Sequence, residues 1–253
     1  MRKLLVICVA MVICACASSN SQGSKGNLTY NYWVTLPKSG ELVVLGVSGK
    51  LHSRNAEIKA ATEDAARKIS MYHSVWASVE HEQKIGAGYL DYYLNSKTQL
   101  EYDKQLDKYI EKLKFDPARD IKRNKDGGVF IQFTYPLNFP GSISYKSGKN
   151  PDGSPEWTTK RPQIDGFITG VGASGRLEEL GNTFRKSYEN AVSSIVSNYS
   201  SKMEISNTEK GSAIETYIIQ ESEGLLSNFL VLEVWLDPKT RAVYTLAIAS
   251  KEQ

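Results

Sequence analysis

Trp33-Val-Thr-Leu-Pro37 leads into Leu42-Val-Val-Leu-Gly-Val-Ser48, and much further along Trp157-Thr-Thr-Lys-Arg-Pro162 leads into Phe167-Ile-Thr-Gly-Val-Gly172. A Trp, a Pro and a buried-type strand carrying glycine recur in order, which reads as an internal duplication. A helical pattern follows each strand: Ile58, Ala61, Ala65, Ile69, Tyr72 and Trp76 in the first half, and Phe184, Tyr188, Ala191, Ile195 and Tyr199 in the second. That spacing keeps the apolar residues on one helix face. Ile58/Phe184, Ala65/Ala191 and Ile69/Ile195 are each 126 residues apart.

The pattern extends past the helices. Val75-Trp-Ala-Ser-Val79 and Lys202-Met-Glu-Ile205 alternate as strands. Tyr89 to Leu113 is rich in helix formers, and Ala213 to Leu226 is its shorter counterpart. Each half then closes with a hairpin. Lys112-Leu-Lys-Phe-Asp-Pro117 precedes Val129–Tyr135, and Glu233-Val-Trp-Leu-Asp-Pro238 precedes Val243–Ala249, with Asp-Pro as the turn starter in both. The expected class is therefore α+β: two tandem β-α-β-α-β-β units, each with helices on one face of a small sheet. The expected units are residues 29–138 and 156–253. Residues 139–155, with breakers at Pro140-Gly141 and Pro151-Asp-Gly153, form the linker.

The amino terminus reads as an address. Met1-Arg2-Lys3 is a basic start, and Leu4 to Ala17 is an apolar run too short to span a bilayer. All 3 cysteines lie in this region, so the chain beyond Cys16 has none to form a disulfide. Ile13-Cys14-Ala15-Cys16 resembles the bacterial lipobox, which implies a signal peptide over residues 1–15 and lipidation (palmitate among the acyl groups) at Cys16. Ala15-Cys16-Ala17 also fits ordinary signal-peptidase cleavage before Ser18. Residues 16–28 carry the anchor and a polar tether. Its ten residues Ser18–Asn27 would span roughly 18 Å. Ala17, where an Asp retention signal would stand, points to the outer membrane of a two-membrane cell. Without Arg2 and Lys3 the balance is 29 basic to 28 acidic residues, no signature of a nucleic-acid partner.

The Trp-to-Pro lead, the strand ending in Gly170-Val-Gly-Ala-Ser174, the Ala-containing helix and the closing Val234-Trp-Leu-Asp-Pro-Lys-Thr240 with Val243-Tyr-Thr-Leu-Ala247 resemble the Lpp-twenty type of bacterial outer-membrane lipoprotein domain. The amino-terminal domain of the flagellar assembly protein T is similar in outline. The resemblance covers Trp157–Ser250 well and Trp33–Leu137 more weakly. It implies a membrane-tethered, non-catalytic interaction or structural module with an envelope protein partner, supporting wall or appendage assembly. It supplies no catalytic residue and no cofactor. The alternative is a small-ligand or glycan-binding lipoprotein with a cleft between the repeats.

Other motifs carry less. Gly170-Val-Gly-Ala-Ser-Gly175 satisfies G-x-G-x-x-G, but no second strand with an acid follows at dinucleotide spacing, so a tight strand-to-helix turn is expected. His73 and His81, with Glu80 and Glu82, have no third ligand pattern to complete a metal site. Asp116 and Asp237 read as turn formers. Arg119, Lys122, Arg123 and Lys125 form a basic tip that Asp116, Asp120 and Asp126 offset. Trp33 and Trp157 are expected to pack over their strands. Replacing Cys16 by Ala should abolish fatty-acid incorporation and release the protein from membranes. Persistent membrane association with unchanged gel mobility would overturn the anchor.

Overall fold

β-Branched and leucine-rich runs set the core strands, and glycine decides how closely helices approach a strand. In the computed structural model, which describes residues 31–85, 93–124, 127–139, 143–200, 202–210 and 213–251 (without the side chains of 81–96, 199, 202–220 and 251), Leu42 to Val47 and Val243 to Ala249 supply core residues. The order of elements is β1 (Tyr32–Val34), β2 (Glu41–Ser48), α1 (Arg54–His73), β3 (Val75–Ile85), β4 (Tyr93–Glu101), α2 (Asp107–Ile110), β5 (Ile121–Arg123) and β6 (Val129–Pro136). A single 3-10 turn at Glu156–Thr158 precedes β7 (Ile168–Ser174), α3 (Leu180–Tyr199), β8 (Lys202–Lys210), β9 (Ala213–Leu236) and β10 (Val243–Lys251).

The α+β class holds, with two antiparallel sheets. The smaller has the order β2-β6-β5; the seven-stranded one runs β4-β3-β9-β10-β7, with β1 and β8 also paired to β9. β9 is the common member. Glu221 faces Glu80 of β3 and Lys202 of β8, and Leu226 faces Val75 of β3 and Lys251 of β10, so β3 and β8/β10 occupy opposite edges. Further on, β1 joins the β3 edge through Trp33↔Val234.

This arrangement departs from the expected two small sheets, because β1, β3 and β4 of the first half pair into the sheet of the second. The stretches read as second helices are largely strands: 93–101 is β4 and Ala213–Leu226 is the first part of β9. Ile214, Thr216, Tyr217, Ile218 and Ile219 favour extended backbone, and pairing on both edges outweighs the helix-forming Glu and Gln residues. Only α2 remains of the first of those helices. Lys112–Pro117 contributes an isolated bridge, Lys114↔Thr134, and β5 takes the hairpin position beside β6. The Asp237 turn accordingly matches Asn124, not Asp116: Asp237 N–H donates to Ala242 O at 2.8 Å and Asn124 N–H to Gly128 O at 3.2 Å.

The two strand-to-helix crossings do match. A Cβ on Gly46 would lie 2.1 Å from Ala61 O, and one on Gly172 would lie 2.1 Å from Ser187 O. In each half the helix backbone rests directly on the strand at a glycine. α1 starts at Ser53, whose Oγ accepts from Ala56 N at 3.2 Å, and ends at extended Ser74 before the β-branched Val75. It packs against β2, β6 and β9, which explains its buried Ala61, Ala65 and Ala66: a helix enclosed by two sheets needs small side chains. α3 packs on β7, β10, β9 and β3.

Alternation along β10 separates the two faces of the larger sheet. Val243, Ala247 and Ala249 join the core of Phe184, Tyr188 and Ile195 on α3. Leu246 and Ile248 join Trp157 and Ile164, so the segment preceding β7 covers the opposite face. Residues 143–155, read as part of a linker, belong with this cover, with Ser154 buried. Trp33 bolts the sheets together: its ring lies 4.6 Å from Phe130 of β6 and 5.5 Å from Phe184 of α3. Gly172→Ala should destabilise the protein by about 1–3 kcal/mol through the helix clash, whereas Gly175→Ala, with nothing within 4 Å of its Cβ position, should stay within about 0.5 kcal/mol. Denaturant midpoints measure both, and equal effects would contradict the crossing geometry.

Candidate functional site

The cover over the larger sheet is held by a short hydrogen-bonded turn. Asn150 Nδ2 donates to Ser154 Oγ at 2.9 Å and to Pro155 O at 3.1 Å, Asp152 Oδ1 accepts from Ser154 N at 2.9 Å, and Glu156 N donates to Gly148 O at 3.0 Å. Pro155 is extended and starts the 3-10 turn that drops Trp157 into the core. The indole Nε1–H donates to Glu233 Oε2 at 2.5 Å, and the Tyr32 hydroxyl donates to the same oxygen. Glu233 is 3% exposed. Burial raises its carboxyl pKa above the ordinary value, against the opposing pull of the hydrogen bonds from Tyr32, Trp157 and Ser147. Burial also raises the Tyr32 phenol, with Glu233 adding to the shift.

Above this anchored indole lies an open cleft of about 470 Å³, lined by Tyr145, Lys146, Gly148, Glu156, Trp157, Lys160, Arg161, Pro162 and Gln163. Its size is that of a small-ligand site. Three cations against one carboxylate suit a polar ligand bearing a carboxylate or phosphate; half-buried Tyr145 is the aromatic side chain with accessible surface, since Trp157 is buried beneath. All lining residues come from Tyr145–Gln163, the end of the expected linker and the start of the second unit. This cleft is not the one expected between the repeats, and no motif singles out Lys146, Lys160 or Arg161; their clustering around Tyr145 and Trp157 is the signal the sequence holds.

A further buried polar cluster is a staple. Asp64 accepts from Lys68 Nζ at 2.6 Å, Val47 N at 3.1 Å and Tyr188 OH at 3.1 Å, while Lys68 Nζ also donates to Leu45 O at 2.6 Å. It joins α1 to β2 and to α3. Burial lowers the Lys68 pKa and raises that of Tyr188 well above its ordinary value. Every polar atom of this pair faces a protein partner, which describes a structural ion pair more than a reactive one.

The candidates from the sequence are dispersed. Cys16, Lys125 and Asp126 lie outside the described residues, as do the side chains of His81 and Glu82. His73 stacks on Tyr109 with ring centres 5.5 Å apart, and burial lowers its pKa. Asp116 Oδ1 accepts from Ala118 N at 3.0 Å and Asp237 Oδ1 from Lys239 N at 2.9 Å, so both cap turns. Of the basic tip, Arg119 pairs with Asp120 at 2.9 Å and Arg123 reaches the buried Glu57 at 3.1 Å. Trp33 and Trp157 are both buried, in different settings, a paired strand and a 3-10 turn. Gly170 and Gly172 press against α3 backbone, the strand-to-helix packing role. No group of three or more His, Cys, Asp or Glu is arranged to hold a metal among the described residues.

Glu233 gives a pH test. Its folded pKa lies above the unfolded one, so its contribution to stability is complete below the ordinary carboxylate range and is lost as pH rises through the folded value. Thermal melts between about pH 4 and pH 8 should show a shallower loss of stability with rising pH in Glu233→Gln than in the parent. An unchanged slope would contradict the raised pKa.

No protein-family model matches this chain, and neither a curated protein nor a solved structure matches it.

Proposed function

We propose that this protein is a bacterial envelope lipoprotein, held to the outer membrane through Cys16, that works as a non-catalytic interaction module with an envelope protein partner. The observation that carries the reading is the course of β9. At its carboxyl end Leu236 N donates to Asn31 O at 2.8 Å, so the segment bearing Cys16 enters there. At the other end β9 joins β8 and β3, where Lys210↔Ala213 and Ile85↔Thr216 bring the ends of two hairpins together. A 24-residue strand has a contour length of about 80 Å at roughly 3.3 Å per residue. The hairpin arm β4-β3-β9-β8 thus points away from the tethered end. Its outer strand β4 has no strand on its second edge among the described residues, the kind of edge that takes up a partner's backbone or is blunted by charge.

The Lpp-twenty resemblance supports the same reading, and the matched crossings of β2/α1 and β7/α3 support descent from a duplicated unit. A second reading rests on the cationic cleft beside Trp157, which favours binding of an acidic small ligand or glycan. No helix among the described residues is long and apolar enough to cross a membrane. Photo-crosslinkers placed in cells at exposed Lys97 on β4 and at exposed Lys59 on α1 test the arm. A discrete protein adduct from position 97 and none from 59 is expected. Equal labelling from both, or none from 97, would sink the arm as the contact surface.

A further inference from the structure

Gly46-Val-Ser-Gly-Lys-Leu51 and Gly172-Ala-Ser-Gly-Arg-Leu177 are nearly the same loop, 126 residues apart. Their geometry is shared as well. Ser48 Oγ donates to Gly49 O at 2.8 Å, and Ser174 Oγ to Gly175 O at 3.0 Å. The leucine N–H reaches a side chain of the following helix in each: Leu51 N to Glu57 Oε1 at 3.4 Å and Leu177 N to Thr183 Oγ1 at 3.1 Å. Glu57 is fixed in turn by Arg123 Nη1 at 3.1 Å and Gly128 N at 3.3 Å. The loops are held, yet the leucines do not enter the core: Leu51 is 39% exposed and Leu177 44%. An exposed cation precedes each, Lys50 and Arg176.

The fold brings the two loops to one place. Ser174 pairs with Val243, which pairs with Leu236, so the second loop leaves its sheet at the end where the segment from Cys16 enters. The first loop reaches the same end, since a Cβ on Gly181 would stand 3.1 Å from Gly49 N. Lys50, Arg176, Leu177 and Arg241 line one depression there of about 150 Å³.

We propose that this end is a lipid-contact surface, in which Leu51 and Leu177 enter the interfacial layer of an anionic phospholipid leaflet while Lys50 and Arg176 meet its phosphates. Isolated exposed leucines beside cations, on rigid loops, are what an interfacial layer accepts. This is also the end at which Asn31, the first described residue after the proposed tether, joins the fold. Glu178 and Glu179 stand beside Arg176, the latter accepting from Asn182 Nδ2 at 3.1 Å, so charge alone would hold weakly and the leucines are needed. The contact is a second membrane signal beside an acyl anchor. Its orientation rests on the lipoprotein reading; its affinity for lipid does not.

The test uses the chain from Ser18, which keeps every described residue and lacks the lipidated cysteine, in sedimentation with phosphatidylcholine vesicles with and without phosphatidylglycerol. Binding to the anionic vesicles alone, weakened by salt, is expected. Leu51→Asp with Leu177→Asp should lower it at least about tenfold, and Lys50→Glu with Arg176→Glu should do the same with unaltered thermal melts, guarding against misfolding. Lys59→Glu, at an exposed position of α1, should leave it unchanged. Absence of binding, equal binding to both vesicle types, or binding that survives both double substitutions would overturn the proposal. A failed acylation experiment at Cys16 would remove the anchor while leaving this vesicle result standing, so the two failures are separable.

Discussion

One strand carries the architecture. β9 pairs with β3 and β8 over its first part and with β1 and β10 over its last, so strands from both halves of the chain have their places fixed by its hydrogen bonds. The change of partners coincides with an irregularity. Asn228 takes a positive φ of 53° and the register against β10 shifts between Ile248 and Ser250. Such a bulge re-aims a strand and increases its twist. Asn tolerates that backbone region better than most residues, and here its Nδ2 also donates to Ser250 Oγ at 3.2 Å.

Because β9 also packs against α1, that helix has a sheet on more than one side. This dictates its composition. Alanines face the strands, and the polar residues that remain must find partners inside, as Asp64 and Lys68 do with Leu45 O, Val47 N and Tyr188 OH. Such a pair adds little net stability over well-packed apolar groups, but loss of one partner would strand the other's charge. It fixes how α1, β2 and α3 sit together. Glu233 plays a parallel part on the opposite face, where neutral donors from β1 and the cover segment converge on one carboxylate oxygen.

The resulting molecule has a polarity that suits a tethered protein. Chain entry, the two leucine loops and the β9–β10 turn share one end, and the hairpin arm occupies the other. Glycine enables this at two levels. Gly46 and Gly172 let helices lie on strands, and the same short motif then turns the chain outward to present a leucine.

Local patterning made β2, β7, α1 and α3 legible, because 3.6-residue periodicity and β-branched runs are properties of consecutive residues. The Asp237 turn was readable for the same reason, whereas Asp116 caps a local turn without starting the hairpin, and the lipobox at Cys16 remains a reading of sequence alone. The doubled Gly-x-Ser-Gly-cation-Leu stretch was also there to be seen, although its significance depends on both copies reaching one end. Strand partnership was not legible. Ala213–Leu226 has helix formers and β formers in mixture, and only the hydrogen-bonding edges of β3 and β8 decide that it is extended. The cleft was hidden for a related reason: Lys146, Lys160 and Arg161 line one depression with Trp157, whose indole is anchored to Glu233, a residue 76 positions away. The sequence by itself determined which segments would be apolar, helical or turning; the tertiary structure decided which edges met, because backbone hydrogen bonding is indifferent to side-chain identity and is selected by what each face can bury.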